Sequence, residues 1–135
     1  PGAATEARAG DIEAWSPERV AALQAQGKPV FVNFTAAWCI TCIANERVAL
    51  SRQEVKDAFA KLGVVYLKAD WTNRDSRIAK ALAEQGRAGV PLYLFYPARS
   101  EAQAEILPQL LTVDTLIAAA ERAAGRNAKT AAALP

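Results

Sequence analysis

The chain has 135 residues, of which 52% are hydrophobic and 22% charged, and this predicts a single globular domain. Its net charge of +2 comes from interleaved basic and acidic residues and gives no reason to expect a nucleic-acid partner. No apolar stretch approaches the roughly 18 residues that cross a bilayer, and no segment has the pattern of a signal peptide. The chain begins at Pro1 and contains no methionine, so we expect a processed protein or one domain of a longer protein.

The first predicted elements are a helix and a strand. Residues 1–10 are small and polar and predict a flexible lead-in. Residues 16–18 (Ser-Pro-Glu) provide a capping hydroxyl, a proline at the first helical position and an acid in the first turn, and Gly27 ends this helix. The apolar run at residues 30–34 then predicts a buried strand.

Both cysteines of the chain lie in one CxxC motif, Cys39 and Cys42, shortly after this strand. Residues 43–50 have the composition of a helix, so Cys39 is predicted at a helix N-terminus. There the free N–H groups and the helix dipole favour the thiolate. Cys42 follows one helical turn later, close enough to form a disulfide. We therefore favour a redox-active pair.

Three other interpretations of the motif remain open. A zinc half-site needs about four ligands, whereas the chain has no histidine and no second CxxC. A structural disulfide would close so short a loop that it constrains the unfolded chain little. Two buried, unreactive cysteines would not need this spacing. Exchange between sulfurs requires neither a metal nor an organic cofactor, so we expect none.

After the motif the pattern alternates between helices and strands. Ser51 and Glu54 match a capping box, which predicts a helix that Gly63 ends. Strands are expected at 64–67, 92–96 and 105–107, and helices from Asp75 or Ser76 to Gly86 and from Thr112 or Asp114 onwards. Residues 125–135 are expected to form a frayed tail, which leaves 11–124 as the folded domain. The fold class is therefore α/β, with helices on both faces of a central sheet.

Three features make the chain resemble the thioredoxin superfamily over about residues 16–124. They are the sequence Trp38-Cys39-x-x-Cys42 after a strand, a central strand that follows, and Val90-Pro91 at the start of the next strand. The resemblance implies a thioredoxin-like fold with a mixed sheet. It also implies that the bond before Pro91 is cis and that this proline faces the CxxC motif, although cis bonds are uncommon.

A narrower resemblance, to the C-terminal periplasmic domain of the DsbD family and its ScsB-like branch, is carried by residues 68–75, 86–93 and 106–112. It implies a monomeric, periplasmic protein-disulfide reductase domain. Such a domain relays two electrons from a membrane-embedded domain of the same parent protein to periplasmic thiol proteins or to its own N-terminal domain, by transient mixed disulfides. It also implies a membrane segment upstream of Pro1 and a natural end near Pro135. One alternative is a stand-alone thioredoxin-like oxidase or isomerase. The other is a redox-inert binding adaptor, and the intact CxxC argues against this adaptor.

Three residues are candidates for the chemistry. Cys39 is the expected attacking nucleophile and Cys42 the resolving thiol. Glu46 lies four residues after Cys42 and shares its helix face. A carboxylate there would raise the thiol pKa values and could accept the Cys42 proton, as the resemblance to DsbD also implies. The alternative for Glu46 is a solvated surface residue paired with Arg47 or Arg52.

Five residues are candidates for partner binding: Trp38, Ile40, Thr41, Val90 and Pro91. Trp38 either shields the sulfur or packs in the core, and Trp71 either packs under the loop or flanks the site. Val90 and Pro91 would offer backbone groups to an extended partner segment. Ile40 and Thr41 replace the Gly-Pro of thioredoxin, a dipeptide that tunes the redox potential. Asn33 replaces the acid of thioredoxin, which weakens the case for a buried aspartate that handles the proton.

Overall fold

The computed structural model describes residues 11–125, which form one mixed five-stranded sheet with helices on both faces. The predicted fold class is therefore confirmed. The predicted lead-in (1–10) and the predicted tail, apart from Gly125, lie outside the described residues. Nowhere between residues 11 and 125 is a helix both long and apolar enough to cross a bilayer.

Five strands and five helices build the described part of the chain. The strands are β1 (Ile12–Ala14), β2 (Val30–Thr35), β3 (Val65–Asp70), β4 (Leu92–Tyr96) and β5 (Glu105–Ile106). The helices are α1 (Pro17–Ala25), α2 (Ile40–Asn45), α3 (Gln53–Leu62), α4 (Ser76–Glu84) and α5 (Val113–Ala123). Helix α2 continues directly into a π-helical stretch, Glu46–Leu50, called the π segment below. The sheet order is β1-β3-β2-β4-β5, in which β1 and β2 run parallel to β3, and β4 runs antiparallel to β2 and β5.

Strand β2 lies at the centre of the sheet and is buried on both faces. Its side chains alternate between two cores because successive residues of a strand point to opposite faces. Val32 and Phe34 pack with α1 and α4, whereas Phe31 packs with α3, α5 and the π segment. Asn33 shares the face of Phe31. The strand therefore delivers the chain to the CxxC motif between two helical layers.

Three of the helix starts follow the capping signals in the sequence. Ser16 Oγ accepts the N–H of Arg19 at the start of α1, and Thr112 caps α5. Asp75, rather than Ser76, caps α4 by accepting two backbone N–H groups. In each case a short side-chain acceptor satisfies donors that the first helical turn leaves free.

The capping box predicted at Ser51 and Glu54 is wrong. Helix α3 begins after Arg52, which forms no side-chain cap, and Ser51 ends the π segment with its own N–H bonded to the carbonyl of Glu46 (2.9 Å). Ser51 is therefore still in a helical conformation, whereas a capping residue needs an extended one. The sequence pattern could not show that the preceding helix would continue this far.

Two strands differ from the prediction by more than one residue. Strand β1 was not predicted, because three residues at a sheet edge are too few to form a recognisable alternating pattern. Strand β3 extends to Asp70, beyond the predicted end at residue 67, because it pairs with β2 as far as Thr35.

Candidate active site

Cys39 and Cys42 form a disulfide at the N-terminus of α2, with their Cα atoms 5.2 Å apart. Cys39 is the N-cap residue, and its Sγ accepts the backbone N–H of Cys42 at 3.1 Å. A thiolate at Cys39 would keep this donor and would also lie at the positive end of the helix. The helix start therefore distinguishes Cys39 electrostatically from Cys42, as the sequence predicts.

Both cysteines are nearly buried in the disulfide form. Cys39 is 7% exposed and Cys42 4%, and they pack with Ala36 and Val90. Ala36 and Val90 therefore cover the pair in this state. The two sulfurs differ in their position on the helix and hardly at all in access.

The peptide bond between Val90 and Pro91 is cis, as the resemblance to thioredoxins implies. Pro91 is buried directly before β4, and Val90 packs against the two cysteines. The sheet produces this contact, because β4 runs antiparallel to β2 with Leu92 opposite Phe34. The start of β4 thus lies beside the end of β2, where the CxxC segment begins.

Trp38 is 47% exposed and so does not lie in the core. Its indole N–H donates to the carbonyl of Thr72 (3.0 Å), and its ring centroid lies 6.0 Å from that of Trp71. Trp71 is buried and lies under the loop before β4, since a Cβ at Gly89 would be 3.7 Å from its ring. The Arg74 guanidinium carbon lies 4.7 Å from the Trp38 ring centre and 5.0 Å from that of Trp71. Sequence reasoning missed Arg74.

The Thr72 hydroxyl joins the CxxC loop to the end of β3. It accepts the N–H of Ala37 (2.8 Å) and donates to the Asp70 carboxylate (2.5 Å), which also accepts the Thr72 N–H. These hydrogen bonds from Thr72 lower the pKa of Asp70. The sequence signal was an aspartate two residues before a threonine, a local turn pattern that says nothing of the contact with Ala37.

Glu46 is exposed and lines a groove of about 310 Å³ together with Cys42, Tyr66 and Asp70. Within residues 11–125 it forms no ion pair, and Arg52 pairs with Glu54 instead (3.3 Å). Burial raises the pKa of both Tyr66 and Tyr93, and the negative charge of Glu46 adds to this rise. Glu46 and Cys42 thus share one groove, while the role of Glu46 stays a prediction.

Two amide side chains are buried near the site, Asn33 on β2 and Asn45 at the end of α2. Asn33 donates to the Tyr66 hydroxyl (3.0 Å), while its Oδ1 atom is buried without a partner among the described residues. Asn45 donates to the Tyr93 hydroxyl (2.9 Å) and to the carbonyl of Gln109 (2.7 Å), and its Oδ1 accepts the N–H of Leu111 (3.0 Å). Asn45 therefore ties the end of α2 to the segment before α5. No sequence pattern indicated this role, because the bonding partners lie far along the chain.

No group of three or more Cys, Asp or Glu side chains within residues 11–125 is placed to hold a metal ion. The site instead consists of a disulfide at a helix start, Val90 of the cis-proline loop packed against the cysteines, and a groove on the side of Cys42 that Glu46 and Asp70 line.

A family model described as thioredoxin-like matches residues 11–98. The thiol:disulfide interchange protein DsbD of Yersinia enterocolitica is 37% identical over 83 residues, which cover 61% of this chain and 14% of that protein. DsbD of Ralstonia nicotianae is 31% identical over 108 residues, covering 80% of this chain and 17% of that protein. The chain therefore spans less than a fifth of the length of these relatives.

Solved structures show the same fold. The oxidised C-terminal domain of Neisseria meningitidis DsbD is 26% identical with a TM-score of 0.61, covering 79% of this chain and 94% of that one. A mutant thioredoxin from Halobacterium salinarum is 19% identical with a TM-score of 0.63, covering 87% and 95%, and this likeness concerns the fold alone. Together with the Cys39–Cys42 disulfide, the DsbD relatives support thiol:disulfide oxidoreductase chemistry. The chain belongs to the thioredoxin-like family.

Proposed function

We propose that this domain is a periplasmic protein-disulfide reductase of the DsbD kind, in its ScsB-like branch. It would relay two electrons from a membrane-embedded domain of the same parent protein to periplasmic thiol proteins or to its own N-terminal domain. The observation that carries the proposal is the Cys39–Cys42 disulfide at a helix N-terminus, packed against the residue before cis-Pro91. The likeness to the C-terminal domain of DsbD, a thiol:disulfide interchange protein, supports exchange chemistry of the DsbD kind.

The reaction is a two-step exchange. In the reduced domain the Cys39 thiolate attacks one sulfur of the partner disulfide, so that a mixed disulfide forms and the first partner sulfur leaves as a thiolate. The Cys42 thiolate then attacks Cys39, which forms the disulfide seen in the structure and releases the second partner sulfur. The partner gains two electrons and, at neutral pH, takes up two protons, while the domain loses the same number of each.

The assignment of Cys39 as the attacking thiol follows from the helix start. Its sulfur already accepts the backbone N–H of Cys42, and this hydrogen bond favours the charged form of the sulfur. Cys42 lies one turn further into α2, a position that suits attack on a neighbouring sulfur of the same chain.

Apolar side chains around the disulfide are available to a partner. Ile40 is 82% exposed, and Trp38 and Ile43 are also exposed large hydrophobic residues. Thr41, between the cysteines, is half-buried. A partner segment that covers Trp38 and Ile40 would bury apolar surface, while the backbone at Val90 and Pro91 would pair with it as an added strand.

Glu46 is the proposed acceptor of the Cys42 proton during resolution. The groove that contains Cys42 is lined by two acids, Glu46 and Asp70. The Asp70 carboxylate accepts two hydrogen bonds from Thr72, which lower its pKa and make it a poor base. Glu46 has no such partner within the described residues, so it is the better candidate.

Trapping the mixed disulfide tests the proposal. Cys42→Ser removes the resolving thiol, so we expect the reduced variant to accumulate a covalent adduct with a disulfide-bonded peptide through Cys39. Cys39→Ser should form no adduct at neutral pH, because Cys42 lacks the helix-terminal N–H donor that favours the thiolate of Cys39. Intact-protein mass spectrometry distinguishes the two results. Faster adduct formation through Cys42 would reverse the assignment, and no adduct in either variant would reject exchange altogether.

The direction of electron flow has its own measurement. Equilibration of the domain with glutathione gives the midpoint potential, which we expect in the reducing range, near the roughly −270 mV of thioredoxins. A value near about −120 mV, the range of strong oxidants, would favour the stand-alone oxidase instead.

A further inference from the structure

Trp38, Trp71 and Arg74 form one cluster beside the disulfide, called the tryptophan–arginine stack below. The guanidinium of Arg74 lies against both indole rings, at 4.7 and 5.0 Å from their centres. This geometry is that of a cation–π contact, which holds the planar group in place while its N–H edge stays free for other bonds.

The backbone fixes the position of this cation. Arg74 has a φ of 59°, and its N–H donates to the carbonyl of Trp71 (2.9 Å) in a tight turn. Trp38 is held from the same loop by its hydrogen bond to the carbonyl of Thr72 (3.0 Å). A non-glycine residue in this left-handed region has a conformational cost, which the surrounding contacts must offset.

Arg74 has no acidic partner within residues 11–125, although two aspartates are close in sequence. Asp75 is occupied by the first turn of α4, where it accepts the N–H groups of Arg77 and Ile78. Asp70 is occupied by the N–H and hydroxyl of Thr72. The indole N–H of Trp71 is also buried without an acceptor in this part of the chain. The stack therefore has unused donors and no negative charge of its own.

The stack borders the surface that a partner must cover. Trp38 belongs to it and directly precedes Cys39, and the exposed Ile40 lies on the other side of that cysteine in the sequence. A partner segment whose own cysteine reaches Cys39 would therefore pass close to the Arg74 guanidinium. A carboxylate on that segment could accept a charge-assisted, two-pronged hydrogen bond there.

We propose that the tryptophan–arginine stack is a recognition site for a carboxylate that a partner carries close to its reacting cysteine, so that Arg74 favours acidic partner segments. This inference rests on the proposed exchange reaction and concerns which partners are preferred. Trp38 would provide the apolar contact, and Arg74 the charge.

The test compares two peptides that differ in one residue. Each is supplied as a disulfide-linked dimer of a single-cysteine peptide, with either Glu or Gln close to the cysteine. The reduced domain is mixed with each, and its oxidation is followed by acid quenching, alkylation and mass spectrometry. We expect the Glu peptide to react about two- to five-fold faster, as for a solvent-exposed ion pair. The ratio of the Glu-peptide rate to the Gln-peptide rate should fall to nearly one in Arg74→Gln. It should also fall to nearly one in the wild type at high salt.

Arg77→Gln is the matched control. It removes another exposed arginine three residues away, so the net charge changes by the same amount. Arg77 does not belong to the stack and forms an ion pair with Glu18. We expect it to keep the preference for the Glu peptide. If Arg77→Gln also lost the preference for the Glu peptide, the overall charge of the domain would explain the preference, and the proposal would be overturned. An equal slowing of both peptides in Arg74→Gln would mean that Arg74 acts on the thiol of Cys39, and would overturn it too.

A binding measurement separates this inference from the reaction. The oxidised domain is titrated with serine analogues of both peptides, and the indole N–H signal of Trp38 and the Nε–H signal of Arg74 are followed by NMR. We expect saturable shifts that are larger with the Glu analogue and that Arg74→Gln abolishes. If the reduced domain reacts with neither disulfide while the oxidised domain still shows these shifts, the proposed function is rejected and the recognition site is kept. Equal shifts with both analogues would reject the recognition site alone.

Discussion

At the scale of single residues, the Glu46 carboxylate is the charge that we expect to change the pKa of the thiols. It lines the groove that also contains Cys42, and it contributes to the raised pKa of Tyr66 and Tyr93 on the sheet below. The position where thioredoxins have an acid is occupied by Asn33, which hydrogen-bonds Tyr66 and carries no charge. Glu46 is therefore the acid whose removal should change the pKa of the thiols most.

Glu46→Gln should lower the apparent pKa of Cys39 in the reduced protein. A nearby negative charge disfavours a thiolate, so its removal makes the thiolate easier to form and moves the titration to lower pH. The absorbance of the thiolate against pH measures this. Because Glu46 is exposed, the shift should shrink as salt is added.

Glu54→Gln provides the control for that titration, since Glu54 is also exposed but pairs with Arg52 at the start of α3. Its thiol titration should match the wild type. Superimposable curves for the wild type and Glu46→Gln would remove Glu46 from the mechanism and leave it as a surface residue.

At the scale of elements, the junction between the π segment and α3 differs from what its sequence pattern indicates. Ser51 looks like the cap of α3, yet it belongs to the last turn of the π segment, and its side chain satisfies no donor of α3. Asp75 is a cap in fact, with two backbone N–H groups on one carboxylate oxygen. The two residues therefore form a natural pair for comparison.

Asp75→Ala should cost about 1 kcal/mol of unfolding free energy, because it leaves two donors of α4 without their acceptor. Ser51→Ala should change it by less than about 0.5 kcal/mol, as for an ordinary surface position. Urea unfolding of both variants measures the difference. A loss at Ser51 as large as that at Asp75 would show that the capping box forms in solution.

At the scale of the whole molecule, the two cores share the same central strands. Phe31, Tyr66 and Phe95 pack with Phe59 on one face, with ring centroids 5.0 to 6.4 Å apart. Trp71 belongs to the other core, which also contains buried residues of α1 and α4. Because β2, β3 and β4 contribute side chains to both cores, we expect that neither helical layer stays folded when the other unfolds.

Phe59→Ala should therefore destabilise the entire domain, by about 3–5 kcal/mol for a buried aromatic side chain. Tryptophan fluorescence should report the loss, although all three tryptophans lie outside the core that contains Phe59. Far-UV circular dichroism should give the same shifted midpoint. Separate midpoints for the two signals would show that the layers unfold independently.

The sequence by itself determined the features that depend on neighbours along the chain. The reactive pair, its place after a strand and at a helix start, and the capping of α1 are all encoded within a few residues. The general order of strands and helices is visible for the same reason, since apolar spacing reports which side of a segment is buried. The cis bond at Pro91 was different, because it came from family resemblance.

Only the tertiary structure decided the contacts that join distant residues. One hydrogen bond joins Trp38 and Thr72, which are 34 positions apart, and another joins Asn45 and Leu111, which are 66 apart. No local sequence pattern predicts either bond. The near-complete burial of Cys39 likewise depends on Val90, which the antiparallel pairing of β4 with β2 brings to the sulfur. Sequence periodicity reports burial along one segment, whereas these contacts depend on how the sheet orders its strands.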